Sequence, residues 1–482
     1  MRKTTVGAIA RLVGGRLVGG AHGSECVHGK ASVDSRVIGE GDLFVAFEGE
    51  HVDGHDYVGA AARAGAAAAL VTKAVPGLEL PAIQVADPLE ALEILARHEL
   101  AEARASARPP IVIALTGSNG KTSTKDLLHA ILAPVGETIA PIGSRNNELG
   151  LPLTVLELSE TTRFLVLEMG ARGIGHIAHL THIARPDISL VLNVGSAHVG
   201  EFGGLDNIAL AKGELVEVLE ETGTAVFNAD DARVKAMQSR TRARVVHFSL
   251  TDDSAEAYAS DVGLDGAARA SFMLHMGGKK APVSLTLTGE HHVKNALAAA
   301  AAAAAAGVGF EDVVAGLRSA EQRSPGRMQV SELPGDVTLI NDAYNANPDS
   351  MRAGLSALAV LGHERHTVAV LGEMLELGPE SEKAHRDMGV FAVEQGIDVI
   401  VTIGCGAHAI HQGVTETRGE NERAVYVERL EDAPAVLETV KRPGSTLLLK
   451  SSNGAGLAKL GESLVRTWAA EPTKAEDAGE KA

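Results

Sequence analysis

The stretch Thr116-Gly117-Ser118-Asn119-Gly120-Lys121-Thr122-Ser123-Thr124 is a phosphate-binding signature. It follows the apolar run 111–115 and precedes a helical pattern over 126–132, so the order is strand, loop and helix. The glycines let backbone N–H groups turn toward a phosphate, and the helix N-terminus adds partial positive charge. Lys121 can bridge the terminal phosphates while Thr122 offers a hydroxyl to Mg²⁺. The stretch therefore predicts an ATP site, held by residues 117–123, on an α/β sheet.

The loop departs from the common eight-residue pattern, because Leu115 stands where that pattern has its first glycine. The alternative interpretation is a glycine turn that merely joins a strand to a helix. Gly-Lys-Thr at the start of the helix favours the phosphate site.

Composition limits the fold and the partners. The chain has 482 residues, more than one hydrophobic core normally supports, and we predict three domains. With 45% apolar and 22% charged residues, it has the composition of an ordinary globular protein. A formal net charge of −18 disfavours binding to nucleic acid or to an anionic membrane. A phosphorylated ligand must therefore be held by local groups.

The cysteines and the N-terminus bear on the compartment. Cys26 and Cys405 are far apart in sequence, which supports neither a disulfide framework nor a cysteine-based zinc site. Met1-Arg2-Lys3 is not followed by the apolar run of a signal peptide, and the alanine-rich stretches are too interrupted to span a bilayer. We expect a cytoplasmic protein that does not insert into membranes, and we expect a monomer.

Two breaks divide the chain. The segment 103–110 ends in Pro109-Pro110, through which a helix cannot continue, so it is a linker candidate. The second break is the segment 323–327, Arg-Ser-Pro-Gly-Arg. From residue 469 onward the sequence is rich in Glu, Lys, Ala and Pro without apolar periodicity, which is typical of disorder. We predict domains at 1–108, 109–325 and 326–468 and a disordered tail at 469–482.

Short apolar runs alternate with helical patterns in the second and third domains. The runs in the second domain are 164–167, 188–192 and 225–227, and those in the third are 337–340, 367–371, 399–403 and 446–449. This alternation predicts an open parallel sheet with helices on both faces in each domain, the third being Rossmann-like. The alanine run 298–306 predicts a close-packed helix, since alanine is the best helix former.

Two polar residues that follow predicted strands are candidates for metal binding. Glu168 follows the run 164–167, and His198 follows the run 188–192 in Asn193-Val194-Gly195-Ser196-Ala197-His198. Ligands of open α/β sheets bind at the carboxyl ends of strands, where these side chains and the Thr122 hydroxyl would meet one or two Mg²⁺ ions. Taken singly, Glu168 could be a solvated strand end and His198 an ordinary loop histidine.

Other histidines and glycines have weaker patterns. His176, His179 and His182 lie on successive helical turns with no acidic residue or cysteine between them, which favours a partly exposed helix face over a metal site. The run 51–56, His-Val-Asp-Gly-His-Asp, has a metal-like composition, but Asp-Gly indicates a turn and a substrate loop is equally plausible. Gly404-Cys405-Gly406 lacks the third glycine of a dinucleotide fingerprint, so no nicotinamide cofactor is expected.

Many motifs together resemble the Mur ligase family in the expected order. They are the runs 116–124, Glu168-Met169-Gly170, 193–198, Ala211-Lys212-Gly213-Glu214, 289–295, Pro325-Gly326-Arg327 and 342–348. Three runs, 146–154, 342–348 and 371–378, resemble the members that add D-alanyl-D-alanine to a UDP-N-acetylmuramoyl-tripeptide. The resemblance covers nearly all of the chain except the tail.

The resemblance implies an activity. Members of the family use ATP and Mg²⁺ to form an amide bond through an acyl phosphate in the synthesis of peptidoglycan precursors. The expected partners here are UDP-N-acetylmuramoyl-tripeptide and D-alanyl-D-alanine. The other hypotheses are a Mur ligase that adds a single amino acid, a folate polyglutamate ligase, and a binding module in which ATP only drives domain closure. The run 342–348 argues against the first two.

The resemblance also implies residue roles. Lys121 and the loop amides hold phosphates, Thr122 and Glu168 hold one Mg²⁺, and His198 helps to hold a second. Lys212 matches the family lysine that is carbamylated into a metal ligand. Asn295 matches the adenine contact, Asp342 the ribose contact, and Arg327 a phosphate contact made when the last domain closes.

The expected substrate contacts lie in two places. The UDP-sugar region of the first domain is matched by Ser32, Ser35, Arg36, Phe47, Asp53, Gly54 and His55. The peptide and dipeptide regions are matched by Asn146, Asn147, Tyr344, Asn345 and Asn347. The chain departs from the family at the run 450–453, Lys-Ser-Ser-Asn in place of Lys-Gly-Ser-Arg, and at His292, where the family usually has asparagine.

Overall fold

The computed structural model describes residues 1–49, 52–77, 79–197, 199–418 and 423–470. His198, one of the predicted metal ligands, lies outside these described residues, as do residues 471–482 of the predicted tail. Three larger sheets and one short ribbon organise the described part of the chain.

The first domain is a small α/β unit. Its elements are β1 (Thr4–Thr5), α1 (Val6–Leu12), β2 (Arg16–Val18), β3 (Cys26–Val27), β4 (Ala31–Ser32), β5 (Leu43–Val45), α2 (Val58–Arg63), β6 (Ala68–Val71), β7 (Ala82–Gln84) and α3 (Pro88–Arg104). The main sheet has the order β2-β7-β6-β5-β4 and is parallel except between β2 and β7. Helix α3 runs through Ala103 and Arg104, so the predicted linker 103–110 is wrong over its first two residues.

The second domain carries the largest sheet. Its strands are β8 (Ile111–Thr116), β9 (Thr138–Ile139), β10 (Phe164–Glu168), β11 (Ile188–Val191), β12 (Thr224–Asn228), β13 (Arg244–Ser249), β14 (Ala257–Leu264), β15 (Arg269–Met276) and β16 (Lys279–Thr288). Its helices are α4 (Lys121–Leu132), α5 (Gly150–Val155), α6 (His176–Ile183), α7 (Val199–Phe202), α8 (Leu205–Glu217), α9 (Ala232–Ala236), α10 (His291–Ala305) and α11 (Phe310–Arg318).

The strand order of this sheet is β16-β15-β14-β13-β12-β11-β8-β10-β9. The predicted parallel arrangement is confirmed from β9 across to β14. The sheet then continues as an antiparallel β14-β15-β16 meander, which the apolar runs do not predict. The first helix of the domain, α4, starts at the phosphate loop and packs against α10 and α11.

The alanine run is confirmed as a helix that packs into the core. Residues 298–303 of α10 are at most 2% exposed and belong to the cluster that covers one face of the sheet. Small side chains let the helix approach the strands closely, so this stretch is core rather than low-complexity disorder.

The third domain is also an α/β unit. Its elements are β17 (Gln329–Leu333), β18 (Val337–Asn341), α12 (Pro348–Leu361), β19 (His366–Leu371), α13 (Ser381–Glu394), β20 (Val399–Ile403), α14 (His408–Arg418), β21 (Ala424–Val427), α15 (Ala433–Val440), β22 (Ser445–Lys450) and α16 (Leu457–Ala469). The sheet order is β17-β18-β22-β19-β20-β21, parallel except between β17 and β18. Because α16 includes Ala469, the predicted start of the tail at that residue is wrong.

No helix in the described ranges is long and apolar enough to cross a bilayer.

Candidate active site

The loop between β8 and α4 has the geometry of a phosphate cradle. Gly120 precedes α4 with a φ of +84°, a conformation that favours glycine. A Cβ on Gly117 would lie 2.8 Å from the Cβ of Leu192, so glycine also lets the loop lie against the neighbouring strand. The loop therefore presents its backbone N–H groups at the N-terminus of a twelve-residue helix, where an anion is stabilised.

The segment that follows β11 braces this loop. The Ser118 hydroxyl donates to the Gly195 carbonyl at 3.0 Å and accepts from the Gly195 N–H at 2.8 Å. The Asn119 N–H donates to the Asn193 side chain at 2.9 Å. These bonds fix the loop through residues far away in sequence, so the cradle is largely pre-formed.

Three cationic side chains meet at the cradle. Lys121 Nζ donates to the Gly117 carbonyl at 2.7 Å. Arg327 lies with its guanidinium carbon 4.4 Å from the centre of the Tyr344 ring and its Nη2 3.4 Å from Thr122 Oγ1, and its Nε is buried without a hydrogen bond. Lys212 is 5% exposed. Cations concentrated in this way, with the Nε of Arg327 buried and unpaired, suit a polyphosphate.

Lys212 is the least satisfied of the three. Its Nζ makes no hydrogen bond or ion pair with any residue in the described ranges. Burial, reinforced by the charge of Lys121, holds the pKa of Lys212 well below its usual range. The pKa of Lys121 is also lowered, mainly by burial. The charge of Glu168 opposes this shift, and the charge of Arg327 adds to it. A buried ammonium without a partner is unfavourable, so Lys212 needs either an anion or a chemical change.

Glu168 is confined by three donors. Its Oε2 accepts from the Thr122 hydroxyl at 3.0 Å, while its Oε1 accepts from Ser144 Oγ at 2.7 Å and from Asn146 Nδ2 at 2.8 Å. The structure thus brings Thr122 and Glu168 together as the sequence predicts. Asn146 and Asn147 are both predicted as substrate contacts. In the structure the Asn146 side-chain amide donates to Glu168. Asn147 Oδ1 accepts from the Gly150 N–H at 2.9 Å.

The residues present fit Mg²⁺ as a partner of bound phosphates. Thr122 and Glu168 supply the oxygen ligands that Mg²⁺ prefers. Within the described ranges, the His, Cys, Asp and Glu side chains form no group of three or more that could hold a metal ion. Mg²⁺ at this place would therefore share phosphate oxygens, as it commonly does in nucleotide sites.

The N-terminus of α10 could hold the adenine base of a nucleotide. Asn295 Nδ2 and both ring nitrogens of His292 are buried without hydrogen bonds, and the ring centres of His291 and His292 are 4.2 Å apart. Burial lowers the pKa of both histidines. A Cβ on Gly120 would lie 2.5 Å from Asn295 Oδ1, so glycine lets the phosphate loop contact this helix. Unpaired donors and acceptors beside the cradle fit the edge of a purine.

Asp342 has a partner that the sequence motifs do not reveal. Lys450 Nζ lies 2.5 Å from Asp342 Oδ2, and the Met328 N–H donates to Oδ1 at 3.0 Å. The Lys450 side chain is 1% exposed. The available signal was a lysine directly after the apolar run 446–449, at the carboxyl end of a strand.

One cavity of about 970 Å³ between the second and third domains joins these parts. The predicted site residues that line it are Ser118, Asn119, Gly120, Lys121, Thr122, Ser123, Asn146, Asn147, Glu168, Lys212, Asn295, Arg327, Asp342, Tyr344 and Asn345. Gly117 and Asn347 lie outside this lining. Asn347 caps α12 by accepting from the Ser350 N–H at 2.9 Å, and its Nδ2 donates to Asn119 Oδ1 at 2.6 Å.

The predicted UDP-sugar residues do not reach this cavity. Asp53 accepts from the His55 N–H at 2.9 Å and contacts His55 Nδ1 at 2.6 Å and Lys73 Nζ at 2.5 Å. The Lys73 ammonium, followed by the His55 groups, holds the pKa of Asp53 well below its usual range. His55 Nε2 accepts from the Thr72 N–H at 3.0 Å, so Asp53 and His55 brace the loop internally.

The remaining first-domain residues lie around a short helical turn and the loop after β5. Ser32 Oγ accepts from the Asp34 N–H at 3.1 Å, and Ser35 starts the turn. The Arg36 side chain is 87% exposed and pairs with Asp34 at 2.7 Å, which lowers the pKa of Asp34 to about 2. Phe47 packs against the core, and a Cβ on Gly54 would lie 2.8 Å from the Phe47 backbone.

The three helical histidines lie on an exposed helix face, as their spacing indicates. His176, His179 and His182 are all exposed on α6, and His179 Nε2 lies 2.8 Å from Glu93 Oε1.

Comparisons with known proteins agree with this architecture. Family models match residues 30–100 as "Mur ligase family, catalytic domain", residues 115–303 as "Mur ligase middle domain" and residues 326–453 as "Mur ligase, glutamate ligase domain". A UDP-N-acetylmuramoyl-tripeptide--D-alanyl-D-alanine ligase from Mycobacterium tuberculosis is 43% identical over 96% of this chain and 98% of its own length.

Solved structures align over similar lengths. A crystal structure of MurF from Acinetobacter baumannii has a TM-score of 0.80 and 31% identity, covering 95% of this chain and 98% of that one. MurF ligase from Thermotoga maritima, solved in complex with ADP, has a TM-score of 0.73 and 27% identity, covering 91% of this chain and 97% of its own.

Proposed function

This chain belongs to the Mur ligase family, and we propose that it joins D-alanyl-D-alanine to UDP-N-acetylmuramoyl-tripeptide in peptidoglycan precursor synthesis. It is an ATP-dependent ligase that forms an amide bond. The observation that carries the proposal is the cavity in which the phosphate loop, Glu168 and Lys212 of the second domain face Arg327 and Tyr344 of the third.

The reaction takes place in two steps. A carboxylate oxygen of the tripeptide attacks the γ-phosphorus of ATP, which gives an acyl phosphate and releases ADP. The dipeptide amine then attacks the acyl carbon, an amide bond forms, phosphate leaves and the amine loses a proton. No protein nucleophile is needed. The chain supplies positioning and charge, which commonly dominate the catalysis of phosphoryl transfer.

The cationic residues stabilise charge on the transferred group. Lys121 and Arg327 approach the cradle from opposite domains, so both can contact the γ-phosphate only when the domains are together. Removing one such donor costs about 3 kcal/mol in other enzymes. Ser118, Asn119 and the backbone of residues 117–123 orient the phosphates, Asn295 the adenine and Asp342 the ribose.

Mg²⁺ bound by Thr122 and Glu168 would neutralise charge on the phosphate oxygens. We assign Lys212, as a carbamate, and His198 to a second metal site. A neutral amine adds to CO₂ and releases a proton, and a buried lysine with no partner in the described ranges favours the neutral form. The product replaces a cation that would repel Mg²⁺ with oxygens that hard cations prefer.

The remaining assignments concern the substrates and the organisation of the chain. We assign the UDP-sugar to the first domain around Ser32, Ser35, Arg36 and Phe47, with Asp53, Gly54 and His55 shaping the loop, and the peptide and dipeptide to Asn146, Asn147, Tyr344, Asn345 and Asn347. Domain boundaries at 108/109 and 325/326, a tail after the last helix, a cytoplasmic location and a monomeric state stay predictions.

A matrix of acceptors and amino donors tests the proposal. ADP release and product mass are measured with UDP-tripeptides ending in lysine or diaminopimelate, each with D-alanyl-D-alanine, D-alanine or glutamate. We expect a product only when a UDP-tripeptide and D-alanyl-D-alanine are both present. Hydrolysis of ATP without any ligated product would favour the binding module, and ligation of a single amino acid would favour the other Mur ligases.

A further inference from the structure

The loop of residues 140–147, called the bridging loop below, contacts both the metal-binding carboxylate and the segment between two domains. At one end, Ser144 and Asn146 donate to Glu168 Oε1 at 2.7 and 2.8 Å. The Asn146 carbonyl also accepts from the Gly170 N–H at 2.8 Å. The loop therefore helps to fix the orientation of the Glu168 carboxylate through its Oε1 atom.

A buried lysine holds the middle of the bridging loop. Lys125 lies one turn after Lys121 in α4, and its side chain is 0% exposed. Its Nζ donates to the carbonyls of Pro141 and Gly143, the latter at 2.9 Å, and pairs with Asp126 at 3.0 Å. Lys125 faces this loop rather than the cradle, and the reaction described above does not use it. Burying an ammonium is costly, so these contacts must compensate for it.

The interdomain segment contacts the same part of the loop. The Gly143 N–H donates to Ser324 Oγ at 3.1 Å, and the Ser324 residue is 1% exposed. The Arg323 guanidinium lies 3.5 Å from the Ala140 carbonyl and 3.9 Å from Asp126. Gly143, which bonds to Ser324, is the residue immediately before Ser144, which bonds to Glu168.

We propose that Lys125 and Ser324 are positioning residues that act through the bridging loop on Glu168. They tie the segment that carries Arg327 to the carboxylate that binds Mg²⁺, so the position of the third domain and the geometry of the metal site change together. This inference rests on the proposed function, in which Glu168 is a Mg²⁺ ligand. Groups that orient a metal-binding carboxylate commonly affect metal affinity without touching the metal.

The test measures ADP binding to the full-length protein by calorimetry, with and without Mg²⁺. Ser324→Ala removes one hydroxyl from the contact with Gly143. We expect the gain in ADP affinity on adding Mg²⁺ to fall about three- to tenfold, while metal-free ADP binding is unchanged. Ser324→Thr keeps the hydroxyl and should restore the gain. Ser319→Ala, whose hydroxyl bonds to the Gly316 carbonyl at the end of α11, is the matched control.

A double-mutant cycle tests whether the effect of Ser324 reaches Glu168 through the bridging loop. If the loop transmits the effect, Ser324→Ala and Ser144→Ala together should lose less of the Mg²⁺-dependent gain than the sum of their separate losses. Additive losses would overturn the route. A full gain in Ser324→Ala, or in a folded Lys125→Met, would overturn the positioning role of that residue. If wild-type ADP binding gains nothing from Mg²⁺, the metal site of the proposed function is wrong instead.

Discussion

Lys121 is the residue on which the phosphate site depends most directly. Lys121→Ala removes the ammonium that we assign to the terminal phosphates, so we expect ligation to fall by at least about 10²-fold. Binding of the UDP-sugar should be unchanged, because the assigned first-domain residues lie outside the cavity. ADP release and titration with UDP-N-acetylmuramoyl-tripeptide measure the two effects, and exposed Lys459→Ala is the control. Wild-type turnover in Lys121→Ala would contradict the ATP site.

Lys212 combines burial with the absence of a partner in the described ranges. Lys212→Ala should lose most activity but keep its fold. The Lys212 side chain forms no hydrogen bond with the described residues, so its removal breaks none of the hydrogen bonds that stabilise them. Short carboxylates such as acetate or propionate should restore part of the turnover by supplying the missing oxygens. Turnover is measured with and without them, and exposed Lys235→Ala on α9 serves as the control. Full activity of Lys212→Ala in bicarbonate-depleted buffer would refute the carbamate.

His292 makes stability depend on pH in a definite direction. Burial, reinforced by His291, lowers its pKa, so the folded protein keeps it neutral while the unfolded chain takes up a proton below about pH 6.5. The free energy of unfolding should therefore fall as the pH drops through and below that value. His292→Asn, which introduces the residue usual in the family, should flatten this dependence. Melting temperatures between about pH 8 and pH 5 measure it, with exposed His182→Asn as the control. Parallel curves for wild type and His292→Asn would count against the burial effect.

Single residues also show where sequence reasoning succeeds. Thr122 and Glu168 could be brought together from the sequence, because both follow or end strands whose carboxyl ends meet at one edge of a parallel sheet. The same rule covers Asp342 and Lys450, which lie at the carboxyl ends of the neighbouring parallel strands β18 and β22, but the sequence does not show which strands are neighbours across 108 positions. Asp53 and His55 match a ligand-binding region by resemblance, whereas their closest partners are each other, Lys73 and Thr72.

At the scale of elements, α12 begins with a residue that has two separate tasks. Asn347 Oδ1 caps the helix, and Asn347 Nδ2 donates to Asn119 in the phosphate loop. Asn347→Ser keeps a capping oxygen but loses the donor, so we expect a higher KM for ATP with little change in stability. Asn347→Ala loses both and should cost about 1 kcal/mol in addition.

The effects of the two substitutions on nucleotide binding and on stability are distinguished by measuring ATP kinetics and thermal unfolding on the same preparations. Ser350→Ala removes the hydroxyl that completes the capping box while keeping the Asn347 donor, so it is the reciprocal control. An unchanged KM in Asn347→Ser would show that the contact with Asn119 does not affect nucleotide binding.

The elements themselves were predictable to different degrees. Strands β8, β10 and β11 have continuous apolar runs because both faces are covered, and the sequence identifies them. Strands β15 and β16 alternate between buried and exposed residues, so they have no such run and are not identified in the same way. Helix α3 extends into the predicted linker, since the restriction from Pro109-Pro110 acts only on residues close to them.

At the scale of the whole molecule, the second and third domains meet on two sides of the cavity. One contact joins Asn119 of the phosphate loop to Asn347. Another joins α7 to the loop after β19, where the Gly200 N–H donates to the Glu376 carbonyl at 3.2 Å. Arg327, at the start of the third domain, has its Nη2 3.4 Å from Thr122 Oγ1 of the second. We therefore expect ATP and UDP-tripeptide together to favour a compact form of the molecule by rotating the third domain inward.

The contact at Gly200 gives this expectation a specific test. A Cβ on Gly200 would lie 2.4 Å from the backbone nitrogen of Gly378, too close for the two segments to stay in place. Gly200 lies in helix α7, where alanine is otherwise favourable, so Gly200→Ala should disturb the interdomain contact rather than the local fold. We expect small-angle scattering to show compaction of the wild type with both ligands and much less compaction of Gly200→Ala, with kcat reduced.

Gly59→Ala in α2, where the nearest atom to the added Cβ is 3.7 Å away, should compact like the wild type. Identical scattering profiles with and without ligands in the wild type would refute the rotation, whereas normal compaction in Gly200→Ala would refute only the part played by this contact.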